Sequence, residues 1–109
     1  MKSAGIALIN GRVVIAVIIN FTAHVYRVKD ANEAKDILDT AKPDVVGMDI
    51  SAAAIYDDIR YAFNVVKVER GGDEKLREVL DKLTFLNITK EEEKPAILAA
   101  CHASESVKS

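Results

Sequence analysis

The sequence predicts an α/β fold, a mixed sheet with helices on both faces, and three observations carry that expectation. The first is Asn10-Gly11, a two-residue hairpin signal between two strand-like segments. Both central residues of a type I′ turn need positive φ, and Asn-Gly meets that demand at low cost. The second is the run Val13 to Ile19, seven consecutive apolar residues rich in valine and isoleucine. A strand with one wet face alternates apolar and polar residues, so an unbroken run marks a strand covered on both sides. The third is the alternation of helical and strand patterns after Asp30, which favours parallel strands joined by crossovers.

In order, Ser3 to Ile9 reads as a first strand, Arg12 to Asn20 as a second and Phe21 to Val28 as a third. Thr22, His24, Tyr26 and Arg27 give the third strand the polar content of an edge. Asp30 and Glu33 form a capping-box start, and Ala31, Ala34, Ile37, Leu38 and Ala41 follow at helical spacing. Lys42-Pro43 ends that helix, because Pro disfavours α geometry in the residue before it. Val45 to Ile50 is a fourth strand, and Ser51 is the expected N-cap of a helix with Ala52, Ile55, Ile59, Ala62 and Phe63 along one face. Val65 to Glu69 is a fifth strand. Gly71-Gly72 is a turn, and Asp73 caps a helix with Leu76, Val79, Leu80 and Leu83 as its stripe. A final helix carries Ile97, Leu98 and Cys101; it begins at the Thr89-x-x-Glu92 capping box or at Lys94, beside Pro95.

With 109 residues, 50% of them hydrophobic, the chain is expected to form one domain, residues 1–109, that buries a core without disulfides or structural metal. Residues 104–109 are expected to be a disordered tail. The expected core includes Val14, Ile15, Val17 and Ile18, inaccessible on both faces of the second strand. Ile37, Leu38, Val45, Val46, Ile59, Leu80 and Leu83 are expected to join it. A net charge of -2 and a pI near 5.7 give no broad electrostatic footprint for nucleic acid. Cys101 is the only cysteine, which rules out an internal disulfide and a cysteine zinc site. The start lacks the pattern of an export signal, and the longest apolar run is too short to span a bilayer. A cytoplasmic location and no membrane partner are therefore expected.

Strand, strand, strand, helix, strand, helix, strand, helix is an order that resembles the ribonuclease-H-like superfamily. The stretch Val45-Val46-Gly47-Met48-Asp49-Ile50-Ser51 is similar to its fourth-strand motif, a buried strand ending in a carboxylate and followed by a helix start. The resemblance spans roughly residues 3–103 by element order and looks closest to small predicted nucleases and Holliday-junction-resolvase-like members. It implies a five-stranded mixed sheet of order 3-2-1-4-5, which the hairpin and right-handed crossovers also favour. It further implies a divalent-metal site built from carboxylates of the first strand, the fourth strand and the last helix. Gly5-Ile6-Ala7 stands where the superfamily has Gly-Ile-Asp. Glu92 and Glu93 precede the Ala96 to Cys101 run where an acid sits near the start of the last helix.

Ala7 is decisive for the chemistry. Two-metal phosphodiester cleavage needs several carboxylates converging on ions about 3.5–4 Å apart. The first-strand acid is the one that bridges both ions in the resembled proteins, and Ile6 and Leu8 point to the opposite face. A degenerate active site is the natural inference. The remaining catalytic candidates are Asp49, Glu69, Glu92 and Glu93. Of these, Asp49 and Glu69 are the metal candidates, and their hard oxygen ligands suit weak Mg²⁺ or Mn²⁺ binding. The bland alternative for Asp49 is a helix cap that accepts hydrogen bonds from the Ser51 and Ala52 amides. His24 and His102 have no second ligand at metal spacing, and Cys101 reads as a small buried hydrophobe. Gly47, Gly71 and Gly72 form no phosphate-binding motif, and no other cofactor is implied. Asp57, Asp58 and Arg60 read as a solvated helix face.

Two functions follow. One is a non-catalytic binding or assembly module, expected as a homodimer or with a protein partner. The other is a Mg²⁺- or Mn²⁺-dependent nuclease or phosphoryl-transfer enzyme with a rearranged carboxylate set.

Overall fold

The computed structural model describes residues 2–20, 22–68, 84–85 and 94–108. Strand β1 (Lys2–Ile9) turns into β2 (Arg12–Ile19) through Asn10 and Gly11, at φ 51° and 78°, the left-handed pair that a type I′ turn requires. β2 pairs antiparallel with β3 (Thr22–Val28). Helix α1 (Ala31–Ala41) is capped by Asp30, whose carboxylate accepts the Glu33 amide at 3.0 Å. The Glu33 carboxylate reaches back to the Lys29 amide, also at 3.0 Å, one residue before the partner a regular capping box would use. The helix ends with Lys42 in the left-handed region, φ 51°, donating its N–H to Leu38 O at 2.8 Å.

β4 (Val45–Asp49) lies parallel to β1, with Ser3, Ala4, Gly5 and Ile6 opposite Val45, Val46, Gly47 and Met48. A six-residue 3₁₀ segment (Ile50–Ile55) and a short helix α2 (Tyr56–Arg60) follow. β5 (Val65–Val68) then pairs parallel with β4. A two-residue strand β6 (Thr84–Phe85) pairs parallel with the start of β3, and helix α3 (Lys94–Lys108) closes the described chain.

The sheet order is β5-β4-β1-β2-β3-β6. Its first five strands have the predicted order and directions, with helices on both faces. Three details differ from the sequence expectation. β6 adds a strand, so β3 is not an edge at its N-terminal end. The element after β4 starts as a 3₁₀ helix capped by Asp49 rather than an α-helix capped by Ser51, and Ala62 is exposed. Finally, α3 continues to Lys108, so residues 104–108 are helical where a disordered tail was expected. The helix predicted from Asp73, with Leu80 and Leu83, lies outside the described residues.

Side chains alternate strictly between the two faces of the sheet. One face carries Ala4, Ile6, Val13, Ile15, Val17, Val46 and Met48, covered by Ala34 and Leu38 of α1, Ala52 of the 3₁₀ segment and Ile59 of α2. The other carries Ala7, Val14, Ala16 and Val25, covered by Ala96, Ile97 and Cys101 of α3. β2 is thus buried from both sides over Val13 to Val17, as its unbroken apolar run predicted; Ile18 is half-buried and Ile19 exposed at the end of the strand, and Ile37 of α1 is half-buried rather than sealed. α3 sits unusually close. A Cβ on Gly5 would collide with the Ala96 carbonyl and the Ala100 amide, and one on Gly47 with the Ala99 carbonyl. Gly5 and Gly47 are cross-strand partners, so together they form a flat bed on which the backbone of α3 rests.

Candidate functional site

Alternation along β4 puts Asp49 on the same face as Gly47, under α3. The β1–β4 register ends at Ile6 and Met48, and one step further brings Ala7 beside Asp49. This is the juxtaposition in which the resembled proteins hold two carboxylates. Here one of the two positions is an alanine with 0% exposure, packed among Val14, Ala16 and Ile97.

The Asp49 carboxylate is 3% exposed and engaged. Its Oδ2 accepts the Ser51 amide at 3.1 Å and the Ser51 hydroxyl at 2.5 Å. The amide bond caps the 3₁₀ segment, since Asp is among the best residues to satisfy the free N–H groups of a helix start. The Ser51 hydroxyl in turn accepts the Leu8 amide at 3.0 Å. β4 no longer runs beside β1 at that point, so Leu8 N–H would otherwise lose its ladder partner. Asp44 does the equivalent work at the other end of β4, accepting the Lys2 amide at 3.0 Å while donating its own amide to Lys2 O at 2.8 Å. Side-chain oxygens therefore finish the β1–β4 ladder at both ends. Buried backbone donors cost free energy unless paired, and these oxygens supply the pairing where the ladder ends.

Glu69, Glu92 and Glu93 lie outside the described residues. Among the described residues, no group of three or more His, Cys, Asp or Glu side chains is placed to hold a metal ion. His24 is on β3, where its ring stacks with Tyr26 at 6.1 Å between centroids. His102 is on α3, with a buried Nε2 that has no hydrogen-bond partner among the described residues. Cys101 is buried in the α3-covered cluster. No helix among the described residues is long and apolar enough to cross a membrane.

Two features escaped the sequence reading. One is the relay through Ser51, foreshadowed only by the spacing of Asp49 and Ser51. The other is an aromatic and basic cluster at the opposite face. Lys67 Nζ lies 4.4 Å from the centre of the Tyr56 ring, and the Arg60 guanidinium lies 5.8 Å from Tyr56 and 4.6 Å from Tyr61. Arg60 also pairs with Asp57 at 3.1 Å and donates to the Tyr61 hydroxyl at 2.6 Å. The alternation of β5 and the turn of α2 bring these residues together, and neither is a sequence motif.

The chain matches no protein-family model, no curated protein and no solved structure.

Proposed function

We propose that the chain is a non-catalytic binding or assembly module on a ribonuclease-H-like scaffold, acting in the cytoplasm as a homodimer or with a protein partner. The observation that carries this reading is the pair at the β1–β4 edge. The first-strand position is a fully buried alanine, and the remaining acid is committed to capping and to the Ser51 relay. Asp49 so engaged, with no second carboxylate beside it among the described residues, has little to offer Mg²⁺, which dehydrates reluctantly and prefers several oxygen ligands. The acidic net charge adds to this, since a nuclease must hold a polyanion against its surface.

The test combines a Mn²⁺ titration, followed by amide shifts around Asp49, with cleavage assays on single- and double-stranded DNA and RNA. The expected result is weak or no metal binding and no cleavage. Metal-dependent cleavage that disappears in Asp49→Asn would overturn the reading in favour of a rearranged nuclease. Sedimentation of the purified chain tests the homodimer separately.

A further inference from the structure

The carboxyl ends of β4 and β5 border a cleft at the edge of the sheet, closed on one side by the 3₁₀ segment and Tyr56 of α2. Its walls are Met48, Ile50, Ala53, Tyr56 and Val68, with Lys67 as the one basic side chain. Four observations mark it as more than a packing gap. Its volume is about 210 Å³, whereas a dry cavity of about 150 Å³ already holds a benzene ring. It is thus large enough for one ring and an attached group, and below the roughly 300 Å³ at which sites for drug-sized ligands begin. Ile50 at its mouth is 63% exposed, a large apolar side chain left in water beside an apolar wall. Lys67 has no carboxylate partner among the described residues; its ammonium rests over the Tyr56 ring instead. The neighbouring cation, Arg60, is already neutralised by Asp57. Asp49 also borders the cleft, but its carboxylate is buried and turned to Ser51, so the charge the cleft offers is that of Lys67.

We infer that this cleft binds a small aromatic carboxylate. The ring would lie against Met48, Ile50 and Ala53, and the carboxylate would meet the Lys67 ammonium in a charge-assisted hydrogen bond. Charge complementarity selects an anion, the wall selects an apolar body, and the volume limits it to a single ring. Sites at the carboxyl ends of strands are also where open α/β sheets commonly take ligands. The inference deepens the binding half of the proposed function by naming a ligand class. It fails independently, because the cleavage assays above are run on the unliganded protein.

Benzoate is the probe, added to the full chain while methyl resonances of Met48, Ala53 and Val68 are followed by NMR. Saturable shifts are expected, weakened at least about tenfold by Lys67→Met, the loss of one charge-assisted hydrogen bond, and restored by Lys67→Arg. Both variants alter an exposed side chain, so folding is not at issue. Equal binding of benzylamine would overturn the inference, since a cation should be repelled. So would the absence of saturable benzoate shifts. So would shifts that depend on protein concentration but not on benzoate, which would show that a second copy of the chain fills the cleft.

Discussion

The two faces of the sheet are packed by opposite means. Under α1, the 3₁₀ segment and α2, large side chains interdigitate: Ile6, Ile15, Leu38, Met48 and Ile59 are all buried there. Under α3, backbone lies almost on backbone, over Gly5 and Gly47, with Ala7, Ala16, Ala96, Ala99, Ala100 and Ala103 as the fill. The resembled nucleases would place their carboxylates on this second face. It is the face packed most tightly by backbone, while among the described residues a cleft opens at the carboxyl ends of β4 and β5. One sheet can therefore be packed by side chains on one face and by helix backbone settling onto glycine on the other.

Adding one methyl group to the tight face should break this contrast most severely. Gly47→Ala drives a Cβ into the Ala99 carbonyl, and neither a strand in mid-sheet nor a helix backbone yields as a side chain would. A loss of about 3 kcal/mol or more is expected, the upper range for overpacking, read as a lowered urea midpoint or as insoluble protein. Ala7→Asp should be comparably damaging, because it buries a charge in an apolar cluster. If Mn²⁺ restored the stability of Ala7→Asp, the α3 face would be a latent metal site and the contrast would be wrong.

On the open-packed face the damage comes from removal. Leu38→Ala should cost about 3 kcal/mol through lost burial and a cavity. Ile37→Ala should cost less, since Leu38 is fully buried and Ile37 only partly. Equal losses in denaturant titrations would mean that the helix is rotated relative to this packing.

Much of this was legible in the sequence. Asn10-Gly11 fixed the hairpin because few other pairs tolerate two left-handed residues, and the Val13 to Ile19 run announced a strand covered twice. Asp49 was legible as a carboxylate at a strand end, and its capping role was the bland alternative already open to it. The tight face was written there too, in Gly5 and Gly47 inside strands and in alanines at 96, 99, 100 and 103, spaced for one side of a helix. That signal needs the β1–β4 register before the two glycines are seen to be neighbours, so local pattern alone does not reveal it. β6 is two residues long and has no pattern of its own. The segment after β4 starts as a 3₁₀ helix with its cap at Asp49, two residues earlier than Ser51 suggested. The Tyr56–Lys67 pair joins residues brought together only by the fold.

A middle-sized effect is expected at the seam between the faces. Ser51→Ala removes the hydroxyl that joins Asp49 to Leu8 N–H, leaving a partly buried donor and a carboxylate each short of one partner. About 1–3 kcal/mol should be lost. Hydrogen exchange at Leu8 should accelerate selectively, while exchange at Lys2, whose amide is held by Asp44 at the other end of β4, should not. Uniform acceleration of both would show that the relay supports the whole ladder and not one end of it.

The smallest effect should come from the cleft itself. Lys67→Met removes an exposed ammonium that rests on Tyr56 and has no ion-pair partner among the described residues. Exposed cation–π contacts contribute about 0.5–1 kcal/mol, and the methionine that replaces the lysine keeps much of the contact with the ring through its own methylenes and sulfur. The change in stability should therefore stay within about 0.5 kcal/mol. A side chain that matters little to folding, yet decides whether benzoate binds, is the signature of a residue kept for a ligand. A loss of stability as large as that of Ser51→Ala would place Lys67 among the packing residues of its face, and the contrast between a closed face and one with an open edge would lose its second half.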